Sequence, residues 1–240
     1  MITLRVRGST APFAHDDGAS GETPLAQAIA IRSLTLFRTA GDPSPVQVYD
    51  LGAAAVECGL GDGADTFVTK VPLASLPAGT FTVARVGVSH VRYKVAATMH
   101  TSGISVAGAY DNVQALSEGA IVDGQARAKG WYRFAFTANG TEYGAITGAG
   151  ILPTSSGPTF TLDTSGSVAA YVFPIVLAID PTGKKDLTVA FEANTFEDFR
   201  WKDEAGETSA GYAPGVFDTT PTSYESVTSF GANGFRLIVQ

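Results

Sequence analysis

The sequence TFTVARVGVSHVRYKVAATMH, residues 80–100, carries the longest alternation of apolar and polar residues in the chain. Alternation with a period of two places successive side chains on opposite faces of a β-strand. The apolar residues change face twice along this stretch, so the alternation is not continuous. Each change of face requires one extra residue. We therefore predict one long strand with β-bulges near Arg85 and Ser89.

Shorter runs of the same pattern occupy most of the remaining chain. They predict strands at residues 2–8, 28–38, 45–51, 66–73, 131–146, 159–163, 167–180, 187–194 and 234–240. Within residues 131–146, Asn139-Gly140 is the dipeptide that a type I′ hairpin turn favours. Residues 108–130 are irregular, with one helical turn predicted at residues 112–118. No helical stripe is longer than about two turns.

About a dozen short strands separated by turn sequences predict an all-β fold, an antiparallel β-sandwich with at most short helical turns. The strand–helix–strand alternation of a doubly wound α/β fold is missing. No interdomain linker is visible, so residues 1–240 are predicted to form a single elaborated domain. If the chain divides, we expect the units to be residues 1–128 and 129–240.

Composition excludes several classes of protein. The net charge is −7 and no run of Lys or Arg occurs, so a phosphate backbone would be repelled and nucleic-acid binding is not expected. The longest apolar run, residues 168–179, is interrupted by Pro174 and falls short of the roughly 20 residues of a spanning helix. The one cysteine, Cys58, rules out an intrachain disulfide and is predicted to be a buried thiol.

The charged fraction of 16% is well below the usual quarter, and Thr, Ser, Gly and Ala are abundant instead. The first residues, MITLRVRG, alternate like a strand and do not resemble a signal peptide. Two locations stay open: the cytoplasm, or a secreted protein whose leader has been removed. The composition favours the secreted protein.

Motifs of common enzymes are missing: the chain has no G-x-S-x-G elbow, P-loop, dinucleotide fingerprint or H-E-x-x-H. A serine triad would have to use one of three histidines, His15, His90 or His100. We predict His15 in a solvated turn with Asp16 and Asp17, with cation binding as the alternative. His90 and His100 are predicted to be hydrogen-bonded polar groups. No metal, no cofactor and no enzymatic activity are therefore expected.

The stretch FEANTFEDFRWKDE, residues 191–204, concentrates aromatic and charged side chains. Its alternation predicts a strand followed by a turn capped by Thr195, with Phe191, Phe196 and Phe199 facing inward. The alternative is a ligand-binding site. Under that alternative the binding residues are Asp198, Trp201, Asp203 and Tyr212. The acids that a glycosidase pair could use are Glu192, Glu197, Asp198, Asp203 and Glu204.

The order of several segments resembles a domain of unknown function in bacterial secreted lipoproteins, which has a prealbumin-like (transthyretin-like) β-sandwich. The resemblance is carried by ITLRVRGSTAP (2–12), IAIRSLTLFR (29–38), LPAGTFTVARVGV (76–88) and LTVAFEAN (187–194). Thr10 stands where that family has Asp, and residues of about 100–165 depart from the pattern. The resemblance implies a prealbumin-like core with an elaborated middle section, an envelope or extracellular location and a non-catalytic role.

We therefore expect a non-catalytic binding or adhesion protein of the bacterial envelope or exterior, with a glycan or a cell-surface protein as its partner. The first alternative is a structural subunit that assembles with its own copies through exposed strand edges. The second is an enzyme that acts on glycans. The sequence leaves open whether calcium binds the acidic loops.

Overall fold

The chain folds almost entirely into β-strands. The computed structural model describes residues 1–150, 152, 156, 157, 159–205 and 211–240. Its strands are β1 (Ile2–Ser9), β2 (Ser20–Glu22), β3 (Ala26–Phe37), β4 (Val46–Asp50), β5 (Val56–Gly59), β6 (Asp65–Val71), β7 (Gly79–Thr101), β8 (Ile104–Ala115), β9 (Ala120–Val122), β10 (Gln125–Arg127), β11 (Trp131–Ala138), β12 (Thr141–Ala149), β13 (Ser156–Gly157), β14 (Phe160–Asp163), β15 (Ala169–Ile179), β16 (Leu187–Asn194), β17 (Phe199–Trp201), β18 (Asp218–Thr219), β19 (Val227–Ser229) and β20 (Gly234–Val239). The one helical element among the described residues is a 3₁₀ turn at Leu73–Ser75. The predicted all-β fold is confirmed.

The strands form a sandwich of two main sheets. One sheet has four strands in the order β20-β16-β1-β6, and its central pair, β1 and β16, is parallel. The other has the order β12-β11-β8-β7-β15-β14-β13, with β3 also paired to β7 and with β4 and β5 paired to β3. A three-stranded sheet, β19-β17-β2, and the two-stranded pair β10-β9 complete the fold. Nearly all pairings are antiparallel.

The long strand β7 joins the two halves of the large sheet. Its first part pairs with β15 up to Val88, and β8 takes over from His90. Opposite, Ile31 pairs with Val88 and Ile29 with Val91, which leaves one extra residue in β7 and confirms the bulge near Ser89. The bulge predicted at Arg85 is wrong, because both neighbours stay in register there. The irregularity lies instead between Pro174 and Leu177 of β15.

The described residues form three hydrophobic clusters, of which two are large and the third is a small one around Val113 and Val122. The larger lies between the four-stranded sheet and the first part of β7, and includes Leu4, Val86, Phe173, Phe191 and Phe235. The second packs the far part of β7, with β8 and β11, against β17 and the segment before β18. Both large clusters draw on residues from both sides of residue 128.

The sequence correctly located the hairpin of β11 and β12. Asn139 and Gly140 have φ of 50° and 74°, the positive values that a type I′ turn requires. The helical turn predicted at residues 112–118 is wrong, since β8 continues to Ala115. Residues 112–114 pair with β7 on one side and with β11 on the other, so tertiary pairing overrides the local preference.

Candidate functional site

Residues 191–204 form strand, turn and strand. β16 ends at Asn194 and β17 begins at Phe199, with Glu197 at a φ of 46° between them. The predicted cap at Thr195 is wrong: its hydroxyl donates to the Leu60 carbonyl at 3.4 Å. The Asn194 side chain accepts the Phe196 N–H instead, at 3.1 Å. This Asx turn and the left-handed residue after it do not continue into a helix.

Three of the four aromatic side chains of this stretch are core residues, whereas Phe196, predicted to face inward, is only half-buried. Phe191 and Phe199 are buried as predicted. Trp201 is only 1% exposed, and its ring contacts Phe199 and Phe217, with centroids 5.8 and 5.7 Å away. Trp201 therefore offers almost no surface to a ligand, although the sequence analysis included it among the binding residues.

Asp198 is a buried acid. It is 2% exposed, and neither carboxylate oxygen makes a hydrogen bond of normal geometry to the described residues. Burial raises the pKa of Asp198 to about 7, and the Gln27 side chain and Gly231 amide nearby offset only part of that effect. Like Trp201, this predicted binding residue faces the interior.

Asp203 and Tyr212 lie nearer the surface, and both are half-buried. Asp203 accepts hydrogen bonds from the Gly215 and Ala205 amides, at 2.6 and 2.9 Å, and from the Ser20 hydroxyl at 3.0 Å. These donors, the Gly215 amide foremost, lower the pKa of Asp203. The four predicted binding residues therefore do not share one surface. Asp198 and Trp201 lie in the interior, whereas Asp203 and Tyr212 lie nearer the surface.

Tyr212 packs on a buried polar cluster, with its ring centroid 5.5 Å from that of His100. His100 Nε2 lies 2.6 Å from an oxygen of Asp218, which is completely buried. On the other side, His100 Nδ1 lies 2.8 Å from the Ser105 hydroxyl. His100 is thus the hydrogen-bonded group that we predicted. Its acid partner comes from 118 residues away, which no local pattern reveals.

A second buried acid, Glu225, lies behind Asp218. Its carboxylate accepts the Asp218 and Glu204 amides, both at 2.7 Å. Burial raises the pKa of Glu225, and repulsion from Asp218 and Asp203 adds to the effect. The segment around residue 218 is therefore held by a network of acids and backbone amides.

Most other charged candidates have structural partners. His90, at the β7 bulge, contacts Ser89 Oγ and Glu57, which fits its predicted role as a satisfied polar group. Asp17 pairs with the buried Arg200, and this contact lowers the pKa of Asp17 to about 2. Cys58 is a buried free thiol, as predicted, and burial raises its pKa to about 12.

A row of side chains that was not predicted from the sequence crosses the large sheet. Adjacent strands place Tyr93, Asn112, Phe134 and Ile146 in direct register, from β7 through β8 and β11 to β12. Residues directly opposite each other project from the same face of a sheet. The first three are half-buried and Ile146 is 57% exposed. We call these four residues the aromatic row.

Two exposed rings flank the aromatic row. Tyr224, 58% exposed, lies 6.0 Å from Phe134, and Phe230, 38% exposed, lies 5.2 Å from Tyr93, measured between ring centroids. A partly enclosed recess, lined in part by Tyr93, Phe230 and Gln27, adjoins one end. Period-two alternation shows which residues share a face within a strand but not which strands are neighbours, so the row could not be read from the sequence.

No group of three or more His, Cys, Asp or Glu is placed to hold a metal ion in the part of the chain that the structure describes. Within the same residues, no helix is long and apolar enough to cross a membrane. Comparison of the chain with protein-family models, curated proteins and solved structures gives no match. Two candidate sites remain. One is the aromatic row, and the other is the His100 cluster, which consists of His100, Ser105, Tyr212 and Asp218.

Proposed function

We propose that the chain is a binding or adhesion protein of the bacterial surface or envelope, and that the aromatic row takes a neutral glycan. The observation that carries this proposal is the half-buried line of Tyr93, Asn112 and Phe134, flanked by the exposed rings of Tyr224 and Phe230. Catalysis is not part of the role proposed for this surface. The low charge and the Thr- and Gly-rich composition support a location outside the cytoplasm.

The chemistry of the row suits a sugar. One face of a pyranose ring presents C–H groups, which pack on aromatic rings, while its hydroxyls need hydrogen-bonding partners beside those rings. Tyr93, Tyr224 and Asn112 supply such polar groups next to Phe134 and Phe230. Three interstrand spacings give the row a length of about 14 Å, which suits a short oligosaccharide.

The negative charge of the chain favours neutral glycans over acidic ones. With a net charge of −7, the protein repels polyanions at long range. The side chains of the row itself carry no formal charge, so nothing there compensates an acidic sugar. A neutral polysaccharide is the partner that fits both observations.

Affinity electrophoresis against neutral polysaccharides (glucan, mannan, galactan and soluble chitin oligomers) tests the proposal. We expect one of them to retard the wild type, and Tyr224→Ala to weaken binding about ten-fold, equivalent to about 1.4 kcal/mol. Tyr224 is exposed, so its removal should leave the fold intact. Phe67→Ala is the matched control, because Phe67 is 52% exposed on β6, in the other sheet. Unchanged mobility with all four polysaccharides, or full binding by Tyr224→Ala, would contradict the proposal.

A second candidate function, self-assembly through strand edges, is favoured by β12. This nine-residue edge strand pairs only with β11 among the described strands, and its residues are almost all exposed. Such edges are templates for pairing with another chain. Gly144, at a φ of 66°, forms a bulge that interrupts the edge, which leaves residues 145–149 as its regular part.

If β12 joins copies of the chain, light scattering should show dimers or larger species whose population rises with concentration. Thr147→Lys should then shift the population to monomer, because an edge lysine opposes strand pairing. A wild type that stays monomeric at high concentration would rule out this candidate and leave the glycan proposal untouched.

A further inference from the structure

His100 and Ser105 face each other at the tip of the β7–β8 hairpin. They are a cross-strand pair, joined through a turn in which Ser102 and Gly103 have φ of 50° and 78°. Directly opposite residues in an antiparallel pair have Cβ atoms about 4.5–5.5 Å apart. The hairpin therefore holds the serine hydroxyl against the imidazole, at 2.8 Å from Nδ1.

Asp218 fixes which ring nitrogen of His100 carries the proton. Its completely buried carboxylate accepts the Ala213 amide through one oxygen, at 2.6 Å, and lies 2.6 Å from His100 Nε2 through the other. A carboxylate accepts hydrogen bonds, so Nε2 is the protonated nitrogen and Nδ1 is free to accept. The Ser105 hydroxyl then donates to Nδ1.

We infer that Ser105 is an activated nucleophile that accepts an acyl group from carboxylic esters, with His100 as its general base and Asp218 as the positioning residue. The ring nitrogens are exchanged relative to the chymotrypsin triad, in which Nε2 faces the serine. A general base needs only one free nitrogen near the hydroxyl, with the other nitrogen bonded to an orienting group. The arrangement at Ser105 meets both conditions.

The reaction balances within these groups and water. Ser105 Oγ bonds to the ester carbonyl carbon while its proton passes to His100 Nδ1. The bond to the leaving alcohol then breaks, and the alcohol oxygen takes that proton. His100 then takes a proton from a water molecule as the water oxygen bonds to the acyl carbon. The bond between that carbon and Ser105 Oγ breaks, the carboxylic acid leaves, and His100 gives its proton to Ser105 Oγ.

Access to the serine supports this role. Ser105 is exposed, while His100 lies beneath the Tyr212 ring. Gly211, at a φ of 79°, sits beside Nδ1, where a Cβ would come within 3.4 Å of that nitrogen. The glycine leaves this side of the imidazole uncrowded. An exposed serine at a hairpin tip suits small, activated esters better than long acyl chains, which need a pocket.

Fluorophosphonate labelling of the full chain, with peptide mass spectrometry, tests the inference. We expect the label on Ser105, and its loss in Ser105→Ala. Ser102→Ala is the matched control, since this serine lies in the same hairpin and its variant should label at the wild-type rate. His100→Gln should slow labelling at least 100-fold, the lower range for loss of a general base. Hydrolysis of p-nitrophenyl acetate should fall in parallel.

Circular dichroism melts establish that the His100→Gln variant is folded. If it is not, His100→Asn replaces it in the same labelling assay, and labelling of the wild type must vanish in urea. Absence of label on Ser105 in the folded wild type would overturn the inference. So would labelling of a folded His100→Gln or His100→Asn variant at the wild-type rate. None of these outcomes bears on the aromatic row.

Discussion

Phe191→Ala should lower the free energy of unfolding by about 3–5 kcal/mol, because it removes a fully buried ring and leaves a cavity. Phe191 is 0% exposed in the central part of the four-stranded sheet. Its ring meets Phe173 edge-on at 5.7 Å and lies 5.2 Å from Phe235. The surrounding rings, those of Tyr171, Phe173 and Phe235, come from two different strands and are unable to collapse fully into the space.

Trp201→Ala should cost a similar amount in the second hydrophobic cluster, for the same reason. Trp201→Phe should cost less, because the buried indole N–H has no hydrogen-bond partner among the described residues to lose. If Trp201 served ligand binding at the surface instead, its replacement would leave stability nearly unchanged. The two outcomes separate the core role from the binding role.

Thermal and urea unfolding of these variants gives the free energies. Val176→Ala is the control: this residue is 79% exposed and its truncation should change stability by less than about 0.5 kcal/mol. Because β7 contributes to both clusters, we expect either core substitution to lower one shared transition. Two separate transitions, each moved by one variant, would show that the clusters unfold as independent units.

The sequence was sufficient for the parts of the fold that depend on alternation. The strand at Leu187–Asn194, the hairpin at Asn139-Gly140 and the bulge at Ser89 all follow from period two and turn chemistry. Errors arose where short-range signals competed with long-range pairing. Residues 112–114 have a helical reading in isolation, but β7 and β11 supply hydrogen-bonding partners on both sides.

The candidate sites were much harder to predict. Asp198, Trp201, Asp203 and Tyr212 are close in sequence, yet the fold buries the first two and leaves the other two half-buried. Conversely, His100 and Asp218 meet across 118 positions, and the aromatic row joins four separate strands. A single sequence does not reveal strand order, so sites assembled across strands stay hidden from it.

Asp198 gives the largest expected dependence of stability on pH. Its ordinary pKa of 3.8 applies in the unfolded chain, whereas burial raises the pKa to about 7 in the folded protein. Well below pH 4 the carboxyl is protonated in both states, so its ionisation does not affect the free energy of unfolding. Between about pH 4 and 7 the unfolded chain loses the proton first, so the stability of the fold decreases as the pH rises. Above about pH 7 the full cost remains.

Replacing Asp198 with asparagine removes the ionisable group and keeps the shape. A pKa difference of about three units corresponds to about 4 kcal/mol, so at about pH 8 Asp198→Asn should be more stable than the wild type by up to that amount. At about pH 4.5 the gain should fall to about 1 kcal/mol, because the carboxyl is already mostly ionised in the unfolded chain but protonated in the folded protein. Burial also raises the pKa of Glu22 to about 7, so Glu22→Gln should remove a further part of the decrease in stability with rising pH.

Urea unfolding at several pH values between about 4.5 and 8 measures both effects. Asp16→Asn is the matched control, since it makes the same chemical change at an exposed aspartate. Its stability should follow the wild type across the range. Parallel curves for the wild type and Asp198→Asn would show that Asp198 is ionised and solvated in the folded protein. The acid would then be open to a cation, as the ligand-binding alternative for residues 191–204 supposes, and added calcium should raise the Tm of the wild type but not that of Asp198→Asn.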